Sequence, residues 1–300
     1  MKAVLLQAYG GVDQLEYTDV PAPVPQSGEV LIKVISTSVN PIDFKLRQGL
    51  MKAVMPLPLP FILGSEAAGE ITAVGDGVTS CAIGDLVMGM LNHSYAEYVT
   101  AKAHDMTGIP QGLDAIDAGV LPVVALTGAQ IIEDGVQPKP GDMVMITGAM
   151  GGVGRTAIFV ARQHGATVIA GVRSKQLTNA QNIGADRLVA LDDDSAITDL
   201  PELDAIADTV GGSTLQKLLP KLKKGGVLAS VLGKPAAVDS SIIIREIYAH
   251  PDSNRLHKLA EDARDGKFSV PIEKRFRLSS IREAHTEAQA GGHGKFAILP

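Results

Sequence analysis

The sequence predicts an α/β protein with two domains, an antiparallel barrel-like β domain and a doubly wound parallel sheet. The first third of the chain contains short strand-like runs separated by Gly and Pro turns, whereas strands and helices alternate after Gly141. The chain has 300 residues, of which 45% are hydrophobic, and at this size a single core tends to divide into two.

Four runs define the predicted β domain. They alternate in strand fashion over residues 2–6, 29–36, 70–74 and 85–89. The segment Pro21-Ala22-Pro23-Val24-Pro25 is a stiff, extended connector between the first two runs.

The pattern becomes helical near Leu113, over residues 114–120 and then 122–132. Further strand candidates follow around Val189 and over residues 205–207, 226–231 and 242–244. The final run, residues 295–299, is mostly apolar, and we expect it to pair back onto the β domain. The predicted domains are therefore residues 1–122 with 266–300, and residues 123–265.

A glycine turn marks the start of the second domain. The apolar run Met143-Val144-Met145-Ile146 leads into a turn containing Gly151, Gly152 and Gly154, and then into an amphipathic helix. Such a turn brings backbone N–H groups at a helix N-terminus up to a phosphate, with no side chains in the way. Glycine turns also end ordinary helices and hairpins, but the second strand at residues 167–171 has the spacing of a dinucleotide-binding unit.

The residues after that second strand select the cofactor. An NAD site places Asp or Glu about 20 residues past the glycines, but no acidic residue occurs between Met143 and Ala185. Arg173, Ser174 and Lys175 stand there instead. Because this group can bind a 2′-phosphate through charge-assisted hydrogen bonds, we predict NADPH as the cofactor.

Composition argues against several classes of partner. The net charge is −6, and no run of Lys or Arg is longer than Lys223-Lys224, which disfavours nucleic acid. No apolar stretch approaches the roughly 20 residues that cross a bilayer, and the N-terminus is too short for a signal sequence, so a cytoplasmic protein without a membrane partner is expected. The single cysteine, Cys81, excludes an internal disulfide and is interpreted as a small hydrophobic residue in a turn.

Blocks over nearly the whole chain resemble one family. They are Ser38-Val39-Asn40-Pro41-Ile42-Asp43, Pro60-Phe61-Ile62-Leu63-Gly64-Ser65-Glu66-Ala67-Ala68-Gly69, Gly84-Asp85-Leu86-Val87, Tyr95-Ala96-Glu97-Tyr98, Ala125-Leu126-Thr127-Gly128-Ala129, Gly148-Ala149-Met150-Gly151-Gly152-Val153-Gly154, Asp208-Thr209-Val210-Gly211-Gly212 and Gly294-Lys295-Phe296-Ala297-Ile298-Leu299-Pro300. In order and spacing they resemble the zinc-independent quinone oxidoreductases (zeta-crystallin-like) of the medium-chain dehydrogenase/reductase superfamily. Met150 and Phe159 depart from the usual pattern and leave the subfamily open.

The resemblance implies a GroES-like β-barrel catalytic domain, a Rossmann-type nucleotide-binding domain and no metal site. Zinc-dependent relatives carry His where this chain has Ser65, and Cys near Asn40, where this chain has none. A catalytic zinc needs about three protein ligands, and the seven histidines show no paired spacing. Glu66 either pairs within the protein or takes a direct part in catalysis.

The resemblance also implies the site residues. The catalytic candidates are Asn40, which would donate an amide N–H near the reacting oxygen, and Asp43, which suits an orienting acceptor better than an acid; both also fit a capped turn. Cofactor contacts are expected from Asn40, Pro41, Thr127, Gly148, Ala149, Met150, Gly151, Gly152, Val153, Gly154, Arg173, Ser174, Lys175, Val210, Leu232 and Gly233. No residue is assigned as the general acid, because Tyr95, Tyr98 and Tyr248 fit structural roles as well, so protonation by solvent is the default.

The predicted function is zinc-free reduction of a quinone, or a related α,β-unsaturated carbonyl compound, by hydride transfer from NADPH. The apolar, Met-containing loop of residues 50–59 favours a hydrophobic substrate. Two alternatives stay open, a reductase specific for one enone or enal with quinones incidental, and a regulatory NADPH-binding protein without turnover. By analogy with the family we expect a homodimer, with residues 226–233 as the pairing edge strand.

Overall fold

The computed structural model describes residues 1–235, 238–291 and 294–300. Contacts divide the chain into two units. Unit 1 comprises Met1–Val123, Pro251–Asp265 and Pro271–Pro300, and unit 2 comprises Val124–His250 and Gly266–Val270. The units differ from the predicted domains mainly over Pro251–Asp265, which groups with unit 1.

Sixteen strands lie in the described residues. They are β1 (Lys2–Leu6), β2 (Leu15–Asp19), β3 (Glu29–Ser38), β4 (Phe61–Ile62), β5 (Glu66–Val74), β6 (Leu86–Met90), β7 (Tyr98–Lys102), β8 (Met106–Gly108), β9 (Met143–Ile146), β10 (Thr167–Val172), β11 (Arg187–Ala190), β12 (Leu203–Asp208), β13 (Leu222–Ser230), β14 (Ile243–Glu246), β15 (Ile272–Arg277) and β16 (Lys295–Leu299).

Eight α-helices accompany these strands in the same described ranges. They are α1 (Pro41–Arg47), α2 (Ala115–Gly119), α3 (Pro122–Gln130), α4 (Gly152–Gln163), α5 (Asp194–Thr198), α6 (Gly212–Leu218), α7 (Ser253–Arg264) and α8 (Ile281–Ala290). A π-helical turn, Ile131–Val136, continues α3.

Unit 1 is built on two sheets. A seven-stranded sheet has the order β15-β16-β3-β5-β6-β8, with β7 also paired to β3, and a three-stranded sheet has the order β2-β1-β4. All pairs are antiparallel except β15 with β16. The last strand pairs with β3, with Ala297 opposite Ser38, which confirms the predicted return of the C-terminus.

Unit 2 contains six parallel strands in the order β11-β10-β9-β12-β13-β14. This is the strand order of a Rossmann fold, in which the order of strand addition reverses between β9 and β12. Ligands bind at the carboxyl ends of the strands beside such a reversal. The predicted α/β fold class, with an antiparallel unit and a doubly wound parallel sheet, is confirmed.

The prediction that residues 226–233 form an edge strand is wrong. β13 pairs with β12 on one side and with β14 on the other, so residues 226–233 belong to an interior strand and the loop after it. The strand at that edge is β14. The apolar run of residues 226–231 is explained by burial between two neighbours, because interior parallel strands are continuously hydrophobic.

Candidate functional site

The glycine turn in unit 2 is shaped by close backbone approach. A Cβ on Gly154 would lie 2.4 Å from the carbonyl oxygen of Gly148, and one on Gly152 would lie 2.9 Å from Cβ of Val124. Gly148 itself has a φ of 65°, in the left-handed region. Only glycine fits these positions, so the chain turns tightly from β9 into α4.

The N-terminus of α4 is open to an anion. Gly151 is its N-cap residue, no side chain caps the first turn, and that turn contains no acidic residue. The first N–H groups of a helix need partners, and the helix dipole favours a negative charge there. A pyrophosphate suits both requirements.

Asp208 joins the strand ends around this turn. It lies fully buried at the end of β12. Its Oδ1 accepts from the Thr147 hydroxyl at 2.9 Å and the Gly211 N–H at 3.0 Å, and its Oδ2 accepts from the Ser230 hydroxyl at 3.1 Å. Asp208 therefore ties the ends of β9, β12 and β13 together. It belongs to a block that carried the family resemblance, but the sequence alone did not reveal this role.

Predicted cofactor residues also follow these strand ends. Val210 is 48% exposed and Leu232 is 42% exposed, so both present apolar surface beyond the strands. Gly233, with a φ of 87°, continues the second of these loops. Thr127 is buried in α3, and Gly128 beside it packs against α4 so closely that a Cβ would lie 2.6 Å from the Cβ of Thr156.

The basic turn after β10 has an acidic neighbour. Arg173, Ser174 and Lys175 follow β10 directly, as predicted. The carboxylate of Asp192, which follows β11, accepts from both the backbone N–H and the hydroxyl of Ser174 at 2.7 and 2.8 Å. These two hydrogen bonds hold the pKa of Asp192 below its usual range. No acidic residue occurs between Met143 and Ala185, but Asp192, which follows the neighbouring strand β11, brings a carboxylate to this turn.

In unit 1 a buried ion pair connects the last strand to the first third of the sequence. Nζ of Lys295 lies 2.8 Å from Oε1 of Glu66, and both side chains are almost completely buried. Lys295 also donates to Oγ of Ser38 at 2.6 Å and to Oδ1 of Asn40 at 2.7 Å, so all three of its hydrogens have acceptors. The second oxygen of Glu66 accepts from the N–H of Val123 at 2.7 Å.

Asn40 is held inside this cluster. Its Nδ2 donates to Oε1 of Glu66 at 2.7 Å and to Oγ of Ser38 at 3.2 Å, and the side chain is 1% exposed. Both amide hydrogens therefore have internal acceptors in this structure. The N–H that we expected to point at a substrate oxygen is engaged with Glu66 and Ser38.

Asp43 forms a second cluster beside the first. Its Oδ2 accepts from the backbone N–H of Asn40 at 2.7 Å, which closes the first turn of α1, and from the hydroxyl of Tyr95 at 3.0 Å. Its Oδ1 accepts from the hydroxyl of Ser65 at 2.8 Å. Complete burial raises the pKa of Asp43 to about 6, because the loss of hydration outweighs the stabilisation of the carboxylate by these donors.

The cluster continues into the core through Tyr95 and His285. Nε2 of His285 lies 3.3 Å from the Tyr95 hydroxyl, and the two rings pack edge to face. Burial, with a smaller contribution from Arg47, lowers the pKa of His285 to about 3, so its imidazole is neutral. Tyr95 is the tyrosine that joins a polar network, whereas Tyr98 is half-buried in β7 and Tyr248 is 73% exposed.

The predicted site residues fall into two groups. Asn40, Asp43 and the exposed Pro41 lie at the start of α1 in unit 1, and the other cofactor candidates lie in unit 2 at the glycine turn, in α3 or beyond strand ends. The sequence did not single out Ser65, Lys295 or His285 as members of a polar site. Within the described ranges, no group of three His, Cys, Asp or Glu side chains is arranged to hold a metal ion, and no helix there has the length and apolar character to span a membrane.

Comparison with known proteins identifies both halves of the chain. Residues 26–111 match the family model for the alcohol dehydrogenase GroES-like domain, and residues 152–250 match the model for zinc-binding dehydrogenases. The whole chain is 31% identical to a quinone oxidoreductase from Pongo abelii and covers 98% of that protein.

Two further relatives extend this comparison. A protein from Arabidopsis thaliana named chloroplast envelope quinone oxidoreductase homolog is 28% identical over the whole chain, which covers 98% of that protein. The structure of a mycobacterial protein complexed with NADPH superimposes with a TM-score of 0.88 and 27% identity, with complete coverage of both chains.

Proposed function

Because the chain belongs to the quinone oxidoreductase family of the medium-chain dehydrogenase/reductase superfamily, we propose that it reduces quinones or related α,β-unsaturated carbonyl compounds by zinc-free hydride transfer. The protein is an oxidoreductase that binds NADP(H). The observation that carries the proposal is the uncapped, glycine-lined N-terminus of α4 at the strand reversal of the parallel sheet.

The residues of unit 2 fit this cofactor. The N–H groups at the start of α4 would hold the pyrophosphate, and Arg173, Ser174 and Lys175 would bind the 2′-phosphate. Val210 and Leu232 offer apolar surface for the nicotinamide end. When bound, NADPH supplies a hydride, and the protein's contribution is to orient the cofactor and exclude water.

Features of unit 1 support a hydrophobic substrate reduced without zinc. Leu50, Val54 and Met55 are 69%, 76% and 47% exposed in the loop of residues 50–59. Ser65 has no imidazole with which to bind zinc, and it stands where zinc-dependent relatives carry His. Asn40 and Asp43 shape the start of α1, and a quinone or enone needs no metal to become electrophilic.

The test is the initial rate of NADPH oxidation by chelator-treated protein with a simple quinone and a simple enone, repeated with NADH. We expect chelator-resistant turnover that prefers NADPH. The ratio of the two rates separates a quinone reductase from a reductase specific for an enone or enal. Loss of activity on chelation would overturn the zinc-free mechanism, and absence of turnover with both acceptors would overturn the proposed substrate class.

The homodimer and the cytoplasmic location stay predictions. For dimerisation through the parallel sheet on the side of residues 226–233, the edge strand is β14, in which Ile243 is 47% exposed. The name of the Arabidopsis relative places that protein at the chloroplast envelope, so membership of the family does not imply a cytoplasmic location.

A further inference from the structure

A chain of hydrogen bonds leads from the surface of unit 1 into its core. It runs from the Ser65 hydroxyl to Oδ1 of Asp43 at 2.8 Å, from Oδ2 of Asp43 to the Tyr95 hydroxyl at 3.0 Å, and from there to Nε2 of His285 at 3.3 Å. Asp43, Tyr95 and His285 are each 0% exposed. Ser65 is half-buried and is therefore the end of the chain that a substrate can reach.

Asp43 is the member of this chain that exchanges a proton near neutral pH. Its pKa is about 6, whereas the pKa of Tyr95 is raised well above its ordinary value and that of His285 is lowered to about 3. A general acid works best when its pKa lies near the working pH. Asp43, however, has no exposed surface from which to donate directly.

We propose that Ser65 is a catalytic residue that passes a proton from Asp43 to the oxygen of the substrate. This inference rests on the proposed function, and it supplies the proton donor that the sequence did not reveal. Tyr95 and His285 are positioning residues in it, because they act on the substrate only through Asp43.

The proton and electron balance is complete. The β-carbon of an enone receives a hydride with its electron pair from the reduced cofactor, and the C=C π electrons move to leave a negative charge on the carbonyl oxygen. That oxygen forms an O–H bond with the Ser65 hydrogen, while Oγ of Ser65 takes the proton of Asp43. Asp43 becomes a carboxylate and regains a proton from solvent after product release. For a quinone, hydride transfer to one carbonyl oxygen leaves the negative charge on the other oxygen, and that oxygen takes the single further proton in this way.

The network accommodates Asp43 in both protonation states. When Asp43 is ionised, the Ser65 hydroxyl, the Tyr95 hydroxyl and the Asn40 N–H all donate to it. When Oδ1 carries the proton, Asp43 donates to Oγ of Ser65, whose own hydrogen is then free to turn toward a substrate. Tyr95 can meanwhile donate to the neutral imidazole of His285.

The charged groups around Asp43 are consistent with this role. Glu66 raises the pKa of Asp43 through its negative charge, although burial is the larger cause. Glu66 is itself paired with Lys295. On the core side, Arg47 lies near enough to His285 to oppose its protonation. The exchangeable proton is therefore confined to Asp43 and its Ser65 contact.

The first test is the single-turnover rate of NADPH oxidation with an enone for Ser65→Ala, Ser65→Thr and the exposed control Ser27→Ala. We expect Ser65→Ala to lose about 10²-fold in rate, the lower end for general acid catalysis. Ser65→Thr keeps the hydroxyl and should restore most of the rate. Ser27 only bonds the backbone oxygen of Asp76 in an exposed turn, so its variant should match the wild type.

The pH profile distinguishes proton transfer through Ser65 from a role in which Ser65 only changes the pKa of Asp43. In the wild type the rate should fall as pH rises above about 6, because the acid form of Asp43 is required. In Ser65→Ala the carboxylate of Asp43 loses a hydrogen-bond donor, so the pKa of Asp43 should rise. This pKa is measured by infrared difference spectroscopy of the carboxyl band, with Asp43→Asn as the reference that identifies the band. A relay predicts a raised pKa with a slow rate at every pH. A raised pKa with an undiminished rate at low pH would overturn the inference.

These outcomes differ from failure of the proposed function. If the wild type oxidises NADPH with neither acceptor, the proposed function fails and this inference fails with it. If wild type and Ser65→Ala turn over an enone equally fast, only the relay is overturned.

Discussion

At the scale of single residues, the core of unit 1 holds two titratable groups with opposite effects on stability. The pKa of His285 falls from 6.5 to about 3 on folding, and that of Asp43 rises from 3.8 to about 6. Between these values the unfolded chain binds more protons at His285, and the folded chain binds more protons at Asp43. Acid therefore destabilises the fold through His285 and stabilises it through Asp43, and the two effects oppose each other between about pH 4 and pH 6.

Replacement of His285 should remove the loss of stability that acid causes through this residue. Relative to the wild type, His285→Gln should gain about 1.4 kcal/mol in free energy of unfolding for each pH unit lowered below about 6. The amide of Gln can still meet the Tyr95 hydroxyl but takes up no proton in this range. Urea unfolding of both proteins between about pH 4.5 and pH 7 measures the difference, and a difference independent of pH would contradict the assignment of a neutral, buried His285.

The candidate catalytic residues were only partly predictable at this scale. The alternative of a capped turn at Asn40 and Asp43 describes how Asp43 accepts from the Asn40 N–H in the first turn of α1, a helix that the sequence did not predict. The partners of Asp43 were not predictable, because Tyr95 lies 52 residues later and His285 a further 190. No local pattern connects residues at such distances.

At the scale of elements, the ends of adjacent parallel strands decide the cofactor environment. The turn after β10 is basic in sequence, but β11 lies beside β10 and brings Asp192 to Ser174. The sequence therefore predicts the basic side of this turn and misses its acid. A carboxylate at this place holds the turn in shape and also repels a 2′-phosphate.

Removal of that charge should strengthen the preference for NADPH. Asp192→Asn keeps an oxygen to accept from Ser174, and it should lower the dissociation constant for NADPH about two- to fivefold, a typical size for an exposed charge interaction. The dissociation constant for NADH should not change. Fluorescence titration with both cofactors at low and high salt measures the effect, which should shrink with salt.

Asp193→Asn is the matched control for this experiment. Asp193 is the adjacent acid, but it caps α5 by accepting from the N–H and hydroxyl of Ser195 at 2.9 and 2.7 Å. Its replacement should leave the NADPH preference unchanged. Equal changes for NADPH and NADH in Asp192→Asn would show that the turn had merely been distorted.

At the scale of the whole molecule, one buried ion pair connects the end of the chain to its first third. Lys295 begins the last strand, and its partners Ser38, Asn40 and Glu66 come from segments 229 to 257 residues earlier. Burial of a charge is tolerated because every hydrogen of the ammonium group has an acceptor. The antiparallel unit is therefore completed only when the last strand is in place.

Loss of one partner should be costly. Lys295→Met leaves Glu66 buried without its counter-charge and should lower the free energy of unfolding by about 3–5 kcal/mol. The double variant Glu66→Gln with Lys295→Met removes both charges and should recover a large part of that loss. Chemical denaturation of the three proteins measures the energies.

Lys274→Met provides the exposed comparison for this experiment. Lys274 pairs with Glu283 and Glu287 at 3.2 and 2.6 Å, with side chains 35% to 59% exposed. Its replacement should cost less than about 1 kcal/mol, because water screens the pair. Similar losses in Lys274→Met and Lys295→Met would contradict a special role for the buried pair.

The sequence by itself determined the features that depend on neighbours along the chain. The two-part α/β organisation, the strand–turn–helix of the glycine motif and the basic turn after the second strand all follow from local periodicity and backbone freedom. The basic turn predicted NADP(H) as the cofactor, and the family resemblance then connected these features to oxidoreductase chemistry. Even the return of the last strand followed from its apolar pattern.

Only the tertiary structure decided which distant side chains meet. It showed that β14 rather than β13 is the edge strand, that Asp192 reaches the basic turn, and that Asp43 connects Ser65 to Tyr95 and His285. The physical reason is the same in each case. Strand order and burial bring together groups far apart in sequence, and the pKa values and hydrogen-bond partners of those groups depend on that enclosure and not on the residues beside them in the chain.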